Sequence, residues 1–491
     1  MSREGMNVSQ TGEKLVTMGR EEPLPIRPLP VAPNPIHLLG PGMVLTAIGV
    51  GLGESYMWPR MAIVFGPKVA WLFLTGVTIQ LFVMMEMARW AMATGESIFF
   101  GAARIGRPLM WFFWTVALLV YIWPGHVTLG AQAISTITGI PWVPLAIGGI
   151  ILIGVVISFS KVIYNTMETV LATLIGIIVI GAAIMASMVA TPGEWWSMIT
   201  GFFSIGWWDP RMGTAKWMPI LIGSIAFAGP SGMQQMWYTL YLRDKGAGMG
   251  QYIGRITGWL SDEEESMPQR GFTFDTTHSE EMTKWQGWRK WITFDALALF
   301  WVITMVTMAI FSVLALAAAR IDTGAAAALQ AGQQTAALKA MASAFSKVGG
   351  RATYYMYYIF MGIVGWKMSF GIFDAFSRGQ ADMTWYFMPG ARKYNMSRWY
   401  FIYLYLAILV GILMVLFGSP KGPLFILNVL AFLSAFVMGT YCPLLLYVNN
   451  RLLPKEIRPG WLPNLALTIG TIFYLGGLFY SLVFLGAIPS G

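Results

Sequence analysis

Charged side chains are scarce in this sequence: they make up 11% of its 491 residues, where a soluble chain carries about 25%. That deficit excludes an ordinary water-soluble domain. Cysteine is nearly absent. The single Cys442 rules out an intramolecular disulfide and any multi-cysteine metal site. Histidine is rare too, at three in the whole chain, too few for a metal-ligating histidine cluster. A Gly-Lys phosphate cradle and a nucleophile motif are also missing, so neither enzymatic activity nor a resident cofactor is expected. Residues 1–38 lack the apolar core and cleavage site of a signal peptide. They are polar and proline-rich, which predicts a disordered cytoplasmic tail.

What the chain has in abundance is apolar length. Hydrophobic residues make up 56% and aromatic residues 14%, with 22 tryptophans that suit the two interfacial belts of a bilayer. Apolar segments recur near 42–64, 70–93, 108–136, 142–160, 164–190, 217–241, 293–319, 353–377, 398–417, 423–448 and 462–487, which predicts an all-α protein with eleven membrane spans. If the N-terminus is cytoplasmic, 22 of the 32 Lys and Arg residues fall on the cytoplasmic side and 9 outside, with Lys367 inside span eight. This bias predicts an integral protein of the cell membrane with its N-terminus inside and its C-terminus outside. The net charge of +9 is then an orientation signal. Lipid is the expected partner, and nucleic acid is not.

Two spans are poor continuous helices. Span one carries Gly49-Val50-Gly51-Leu52-Gly53-Glu54-Ser55. Glycine costs about 1 kcal/mol in a helix interior, and a carboxylate at the bilayer centre costs at least about 2.5 kcal/mol. The stretch reads as a helix broken at mid-membrane, presenting Glu54 to a polar site. Span six carries Ala226-Phe227-Ala228-Gly229-Pro230-Ser231-Gly232-Met233-Gln234-Gln235, a second interruption five spans later. With five spans per unit, the second unit enters the membrane in the opposite sense, which is the pattern of an inverted repeat with its substrate where the two unwound helices meet. The expected organisation is a tail (1–38) and a transporter domain (39–491), with repeats at 39–192 and 213–450, an extra span at 460–488 and a cytoplasmic loop at 243–292. That loop, with Trp285, Trp288 and Trp291 beside Arg289 and Lys290, reads as a solvated segment with an interfacial helix.

Other ionisable groups lie inside spans. His126, beside Pro124-Gly125 in span three, titrates near neutrality and is a candidate proton relay. Lys367, Asp374 and Arg378 follow at intervals of seven and four along span eight, so they share roughly one face. A gating ion pair of Asp374 with Arg378 is favoured, with Lys367 a candidate built-in cation. Glu86 and Arg89, three apart, read as a local pair.

At these residues the chain resembles the natural-resistance-associated macrophage protein family of divalent-metal transporters, which have a LeuT-like fold. Gly40-Pro41-Gly42 is similar to the opening of that family's first span. Its DPGN motif falls on Gly51-Leu52-Gly53-Glu54, and its A-x-x-M-P-H motif on the six residues from Ala226 to Ser231. The run from Cys442 to Arg451 resembles the end of its tenth span, and Gly379-Gln380 the close of its eighth. The resemblance implies a LeuT-like 5+5 inverted repeat plus an eleventh helix. It also implies that the carbonyl of Ala226 is a metal ligand, and it sets His126 near an acidic position linked with proton passage. The departures are as telling. The family's metal-binding Asp is Gly51 here, its Asn is Glu54, its Met is Gly229 and its His is Ser231. Loss of the thioether and retention of a carboxylate favour a hard cation such as Mg or Mn.

The expectation is therefore secondary active transport of a cation by alternating access, most simply a hard divalent metal coupled to protons. Glu54 and Ala226 are the metal ligands, and Gly51, Gly53, Gly229, Gln234 and Gln235 line the site. The alternatives are transport of a small organic solute on the same fold, or a membrane sensor with the 243–292 loop as its output.

Overall fold

The computed structural model describes residues 6–8, 14–34, 49, 51–122, 124–159, 163–254, 268–331, 333, 336–417 and 423–488. Gly40-Pro41-Gly42 and the acidic run at 262–265 lie outside them. Among the described residues, eight helices are long and apolar enough to cross a membrane: Pro67–Thr94, Arg107–Thr138, Thr169–Val189, Ser279–Ile321, Gly349–Phe387, Met396–Phe417, Leu424–Leu452 and Trp461–Phe484. They correspond to expected spans two, three, five, seven, eight, nine, ten and eleven. Span four is the shorter apolar helix Trp142–Ser158. Spans one and six are the interrupted ones, so neither offers an unbroken run of that length.

Local sequence explains where these helices begin and what they face. Pro59, Pro108 and Pro219 each sit in the first turn of a helix, where the missing N–H costs nothing. Ile177, Ile180 and Ile184 of span five, spaced three and four apart, are exposed and form a lipid-facing stripe. Ala182 and Ala186 of the same span are fully buried. The span ends gather at two opposite faces of the bundle. At one, Arg320 bonds Glu194 and Lys216 reaches the carbonyl of Gln330. The other, here called the N-terminal face, collects residues 14–34, the helix Ile98–Ile105, the segments 243–254 and 268–278, and the turns after spans eight and ten. Tyr386, for example, bonds the Pro268 carbonyl at 3.1 Å, and Thr276 bonds Glu456 at 3.2 Å.

Two expectations fail at that face. Within the predicted disordered tail, residues 14–34 are ordered. Short antiparallel strands Met6–Val8, Lys14–Val16 and Leu24–Pro25 form a small sheet, and Met18, Leu24 and Leu29 are buried. Backbone hydrogen bonds hold what apolar periodicity did not announce. The predicted interfacial helix is the first part of the 43-residue helix Ser279–Ile321. Its Trp285, Trp288 and Trp291 are buried against protein, with Trp288 donating to the Pro30 carbonyl at 2.7 Å. Spacing of three put the indoles on one face, and the ordered tail supplies the surface they cover.

Span six consists of Met218–Ala226, an unwound stretch, and Met233–Asp244. Gly232 takes a positive φ of 54° at the junction of the unwound stretch with the second half, and the Tyr121 hydroxyl lies where a side chain at 232 would go. That hydroxyl accepts from the Met233 N–H at 2.8 Å and meets the Ser231 carbonyl at 3.2 Å and Ser434 Oγ at 3.1 Å. Span three thus caps the second half-helix of span six. Replacing Tyr121 with Phe should leave these buried groups without their partner, at about 1–3 kcal/mol. The expected result is a lowered melting temperature of the detergent-purified protein. An unchanged melting curve would show that the cap carries no stability.

Candidate functional site

The two interruptions meet. In span one the chain passes through the wide π-turn Gly53–Met57 into the helix Trp58–Phe65, a geometry common at functional sites. A β-carbon at Gly53 would lie 1.9 Å from the Phe227 carbonyl oxygen of span six, and one at Gly49 would lie 2.5 Å from Pro230. Glycine is therefore required in the first seam for a steric reason beyond helix breaking: only a bare backbone lets the two breaks touch.

Span one's free backbone groups are taken up locally. The Gly51 N–H donates to Glu54 Oε2 at 2.8 Å, and Ser55 Oγ donates to the Gly51 carbonyl at 2.6 Å. The Leu52 N–H points at Met368 Sδ of span eight, 3.0 Å away. The second oxygen of Glu54, Oε1, is buried with no hydrogen-bond partner. Lys367, next to Met368, is also buried. His126 stacks on Phe227 at 5.6 Å between ring centroids, and neither of its ring nitrogens has a hydrogen-bond partner.

Span six's carbonyls are answered from span two. Gln80 Nε2 donates to the Ala226 carbonyl at 3.1 Å. Its Oε1 accepts from Gln235 Nε2 at 3.2 Å, and Gln235 Oε1 accepts from the Tyr441 hydroxyl at 2.8 Å. The result is a one-directional chain of neutral hydrogen bonds from span ten to the break in span six. Gln234, one residue earlier, keeps a buried side-chain oxygen without a partner.

The structure therefore brings Gly51, Gly53, Glu54, Ala226, Gly229, Gln235, His126 and Lys367 to one seam. Asp374 and Arg378 lie further along span eight, in a separate buried network. Arg378 bonds Asp374 at 3.0 Å and also pairs with Asp244. Arg243 pairs with Asp382, whose other oxygen accepts from Ser97 Oγ at 2.6 Å. Tyr241 and Tyr400 each donate to Asp374 at 2.7 Å. All of these side chains are buried, as are Glu86 and Arg89, which pair at 2.8 Å in span two. Removing one partner from such a buried pair costs about 3–5 kcal/mol.

Two positions modify the sequence reading of a metal site. The place of a side chain at Gly51 is filled by Met368: a β-carbon there would lie 1.8 Å from its sulfur. The thioether missing from span six is thus supplied to the seam by span eight. At Gly229 a β-carbon would meet Gln80 Oε1 at 2.8 Å, and the same Gln80 already occupies the Ala226 carbonyl. Among the described residues, no three His, Cys, Asp or Glu side chains are grouped to hold a metal ion. Sequence reasoning missed Met368, Gln80, Tyr121 and Arg60. Arg60, fully buried, lies over the Tyr56 ring at 5.4 Å and reaches Asn428 at 3.4 Å. Its signal was its position, six residues after Glu54 on an apolar run; it was assigned to the following loop.

The fold is that of membrane transporters of the LeuT-like class. No family model and no curated protein matches the sequence, but solved structures match the fold. A mutant of the Eremococcus coleocola manganese transporter superposes with a TM-score of 0.68 at 14% identity, over 93% of this chain and 89% of that one. Mhp1, a nucleobase-cation-symport-1 family transporter in a closed conformation with bromovinylhydantoin bound, gives 0.55 at 14% identity over 91% of each chain. MhsT in complex with L-phenylalanine gives 0.50 at 14% identity over 90% and 98%. The expected 5+5 arrangement with spans one and six broken is thus the observed one.

The contact of Gly51 with Met368 yields a reciprocal prediction. Gly51→Ala alone should destabilise the protein by overpacking, and Gly51→Ala with Met368→Ala should recover much of the loss. The coupling energy in a double-mutant cycle of thermal melts should be about 1–3 kcal/mol. Additive effects would mean that the two residues do not touch.

Proposed function

We propose that this chain is a secondary transporter working by alternating access, with the Glu54–Lys367 pair at the seam as its working charges, and that its cargo is a small organic solute carrying charge of its own. The observation that carries this reading is that one buried acid, Glu54, and one buried base, Lys367, both lie at the seam where the two broken helices touch. A resident ammonium opposes a bare divalent ion: like unit charges 4 Å apart repel by about 4 kcal/mol at an effective dielectric of 20, and a double charge doubles that. A charged or zwitterionic solute instead exchanges partners with the pair. Its anionic group meets Lys367 and the Leu52 N–H, which faces the weak sulfur acceptor of Met368. Its cationic group meets Glu54. The occupied Ala226 carbonyl and the filled space beside Gly229 support the same reading. Proton coupling fits Glu54 and His126, since a carboxylate at midplane sheds its charge by taking a proton.

A second reading, transport of a hard divalent cation, is favoured by one observation: Glu54 Oε1 and Gln234 Oε1 are buried oxygens without partners. Uptake into proteoliposomes separates the two. The panel comprises amino acids, organic cations, Mg, Mn and Ca, each with and without a pH gradient. Organic cargo should be accumulated and the metals should not. Glu54→Gln and Lys367→Met, folded by size exclusion, should each lower uptake by about a hundredfold or more, the scale of losing a buried charge partner. Undiminished uptake in Glu54→Gln would remove the seam from the mechanism. Metal uptake would establish the second reading. No uptake of anything, with ligand-dependent changes in the 243–292 loop, would make the protein a sensor.

A further inference from the structure

Residues 14–34 do more than cover the N-terminal face: they join elements from the two halves of the bundle. On one side is the helix Ile98–Ile105, between spans two and three. The Arg20 N–H donates to the Arg104 carbonyl at 2.8 Å. Arg104 Nη1 in return donates to the carbonyls of Met18 and Glu22 at 2.7 and 3.1 Å. The rest of that guanidinium grips Glu96 through two bonds of 2.7 Å, and Glu96 also accepts from the Gly271 N–H at 3.2 Å. On the other side are the connection from span six to span seven and the start of the helix Ser279–Ile321. The Arg27 N–H donates to the Thr273 carbonyl at 2.8 Å, and the Thr273 N–H to the Pro25 carbonyl at 2.9 Å. Tyr252 donates to the Pro28 carbonyl at 2.8 Å, and Trp288 to that of Pro30 at 2.7 Å.

The same two halves are joined a layer deeper by charge. Ser97, the N-cap of the helix Ile98–Ile105, bonds Asp382 of span eight, which pairs with Arg243 at the end of span six. The segment thus lies outside a buried network closing the N-terminal face, fastened on one side to the helix Ile98–Ile105, which the network holds through Ser97, and on the other to the connection that follows Arg243 and span six. Any movement that opens a path from the seam to this face parts Ser97 from Asp382 and Arg243, and it pulls on both ends of the segment. A segment serving only as packing would be fastened to one side.

We propose that residues 14–34 form a releasable strap that holds the N-terminal face shut, so that undocking the strap is a step in opening that face. The strap is held by hydrogen bonds to its main chain, by the ion pairs of Glu21 with Arg107 and of Glu22 with Arg270, and by the buried apolar side chains Met18, Leu24 and Leu29. Such a segment opens more readily than the helices beneath it. The inference does not depend on the nature of the cargo.

The geometry supplies a direct test. A β-carbon at Gly287 would lie 3.3 Å from the β-carbon of Ala32, close to the 3.5–4.5 Å spacing of a disulfide. In a Cys442→Ala background, Ala32→Cys with Gly287→Cys should form a disulfide that pins the strap. The readout is amide hydrogen exchange, by mass spectrometry, of the full chain in nanodiscs, at residues 239–250 and 376–386, which flank the buried network. The expected order is fastest in a chain lacking residues 2–33, intermediate in the reduced cysteine pair and slowest in the oxidised pair. About tenfold should separate the extremes, in line with a sub-global opening. If the shortened chain fails to fold, the oxidised and reduced forms of the full chain decide alone. Equal exchange in the two redox forms would overturn the proposal.

Discussion

Breaking a helix inside hydrocarbon leaves amides and carbonyls that lipid cannot satisfy, and much of this bundle is arranged to answer them. Several groups at the two breaks are met from other spans. Tyr121 of span three caps the Met233 N–H. Met368 of span eight takes the Leu52 N–H. Gln80 of span two takes the Ala226 carbonyl and is itself steadied by Gln235 and Tyr441. Within span one, Glu54 and Ser55 hold the amide and the carbonyl of Gly51. The breaks are thus stitched to spans two, three, eight and ten. A change of shape at the seam is felt at once by four other helices.

Charge is divided between two levels. At the seam it is sparse: Glu54, Lys367 and the ring of His126, with polar atoms left over. Toward the N-terminal face it is dense and paired, with Arg243, Arg378, Asp244, Asp374 and Asp382 joined across spans six and eight. Sparse, incompletely satisfied charge suits groups that exchange partners. Dense, reciprocal pairing suits a closure that is either made or broken, because removing one member leaves another buried and alone.

The breaks were legible in the sequence because glycine, proline and a carboxylate conflict openly with an apolar helix. Lys367 and His126 stood out for the same reason, and the structure buries both at the seam, His126 stacked on Phe227 and Lys367 next to Met368. What stayed hidden has no local signature. Gln80 and Tyr121 are single polar residues in apolar runs, and Met368 is an ordinary apolar residue; only tertiary contact gives them their parts. Arg60, inside the expected first span, and Arg243, just past the end of the sixth, were both counted with the loop charges, although both are buried. The tail was read as disordered because its order comes from backbone bonds to distant segments, which leave no periodicity. The tryptophans at 285, 288 and 291 were correctly seen as one face but were turned toward lipid, since their true neighbour was thought to be unstructured.

The helix Ser279–Ile321 has a mechanical consequence. Its 43 residues extend about 65 Å at about 1.5 Å per residue, roughly twice the 30 Å of a bilayer's hydrocarbon core. Roughly half of it therefore stands clear of the apolar layer, and that half carries Trp288 against the backbone at Pro30. A change of tilt of about 10°, well within the range membrane helices adopt, would carry its outer end through about 5 Å. That is longer than any hydrogen bond. Span seven is in effect a lever with its fulcrum in the membrane, turning a small rotation in the bundle into a displacement large enough to make or break contacts at its tip.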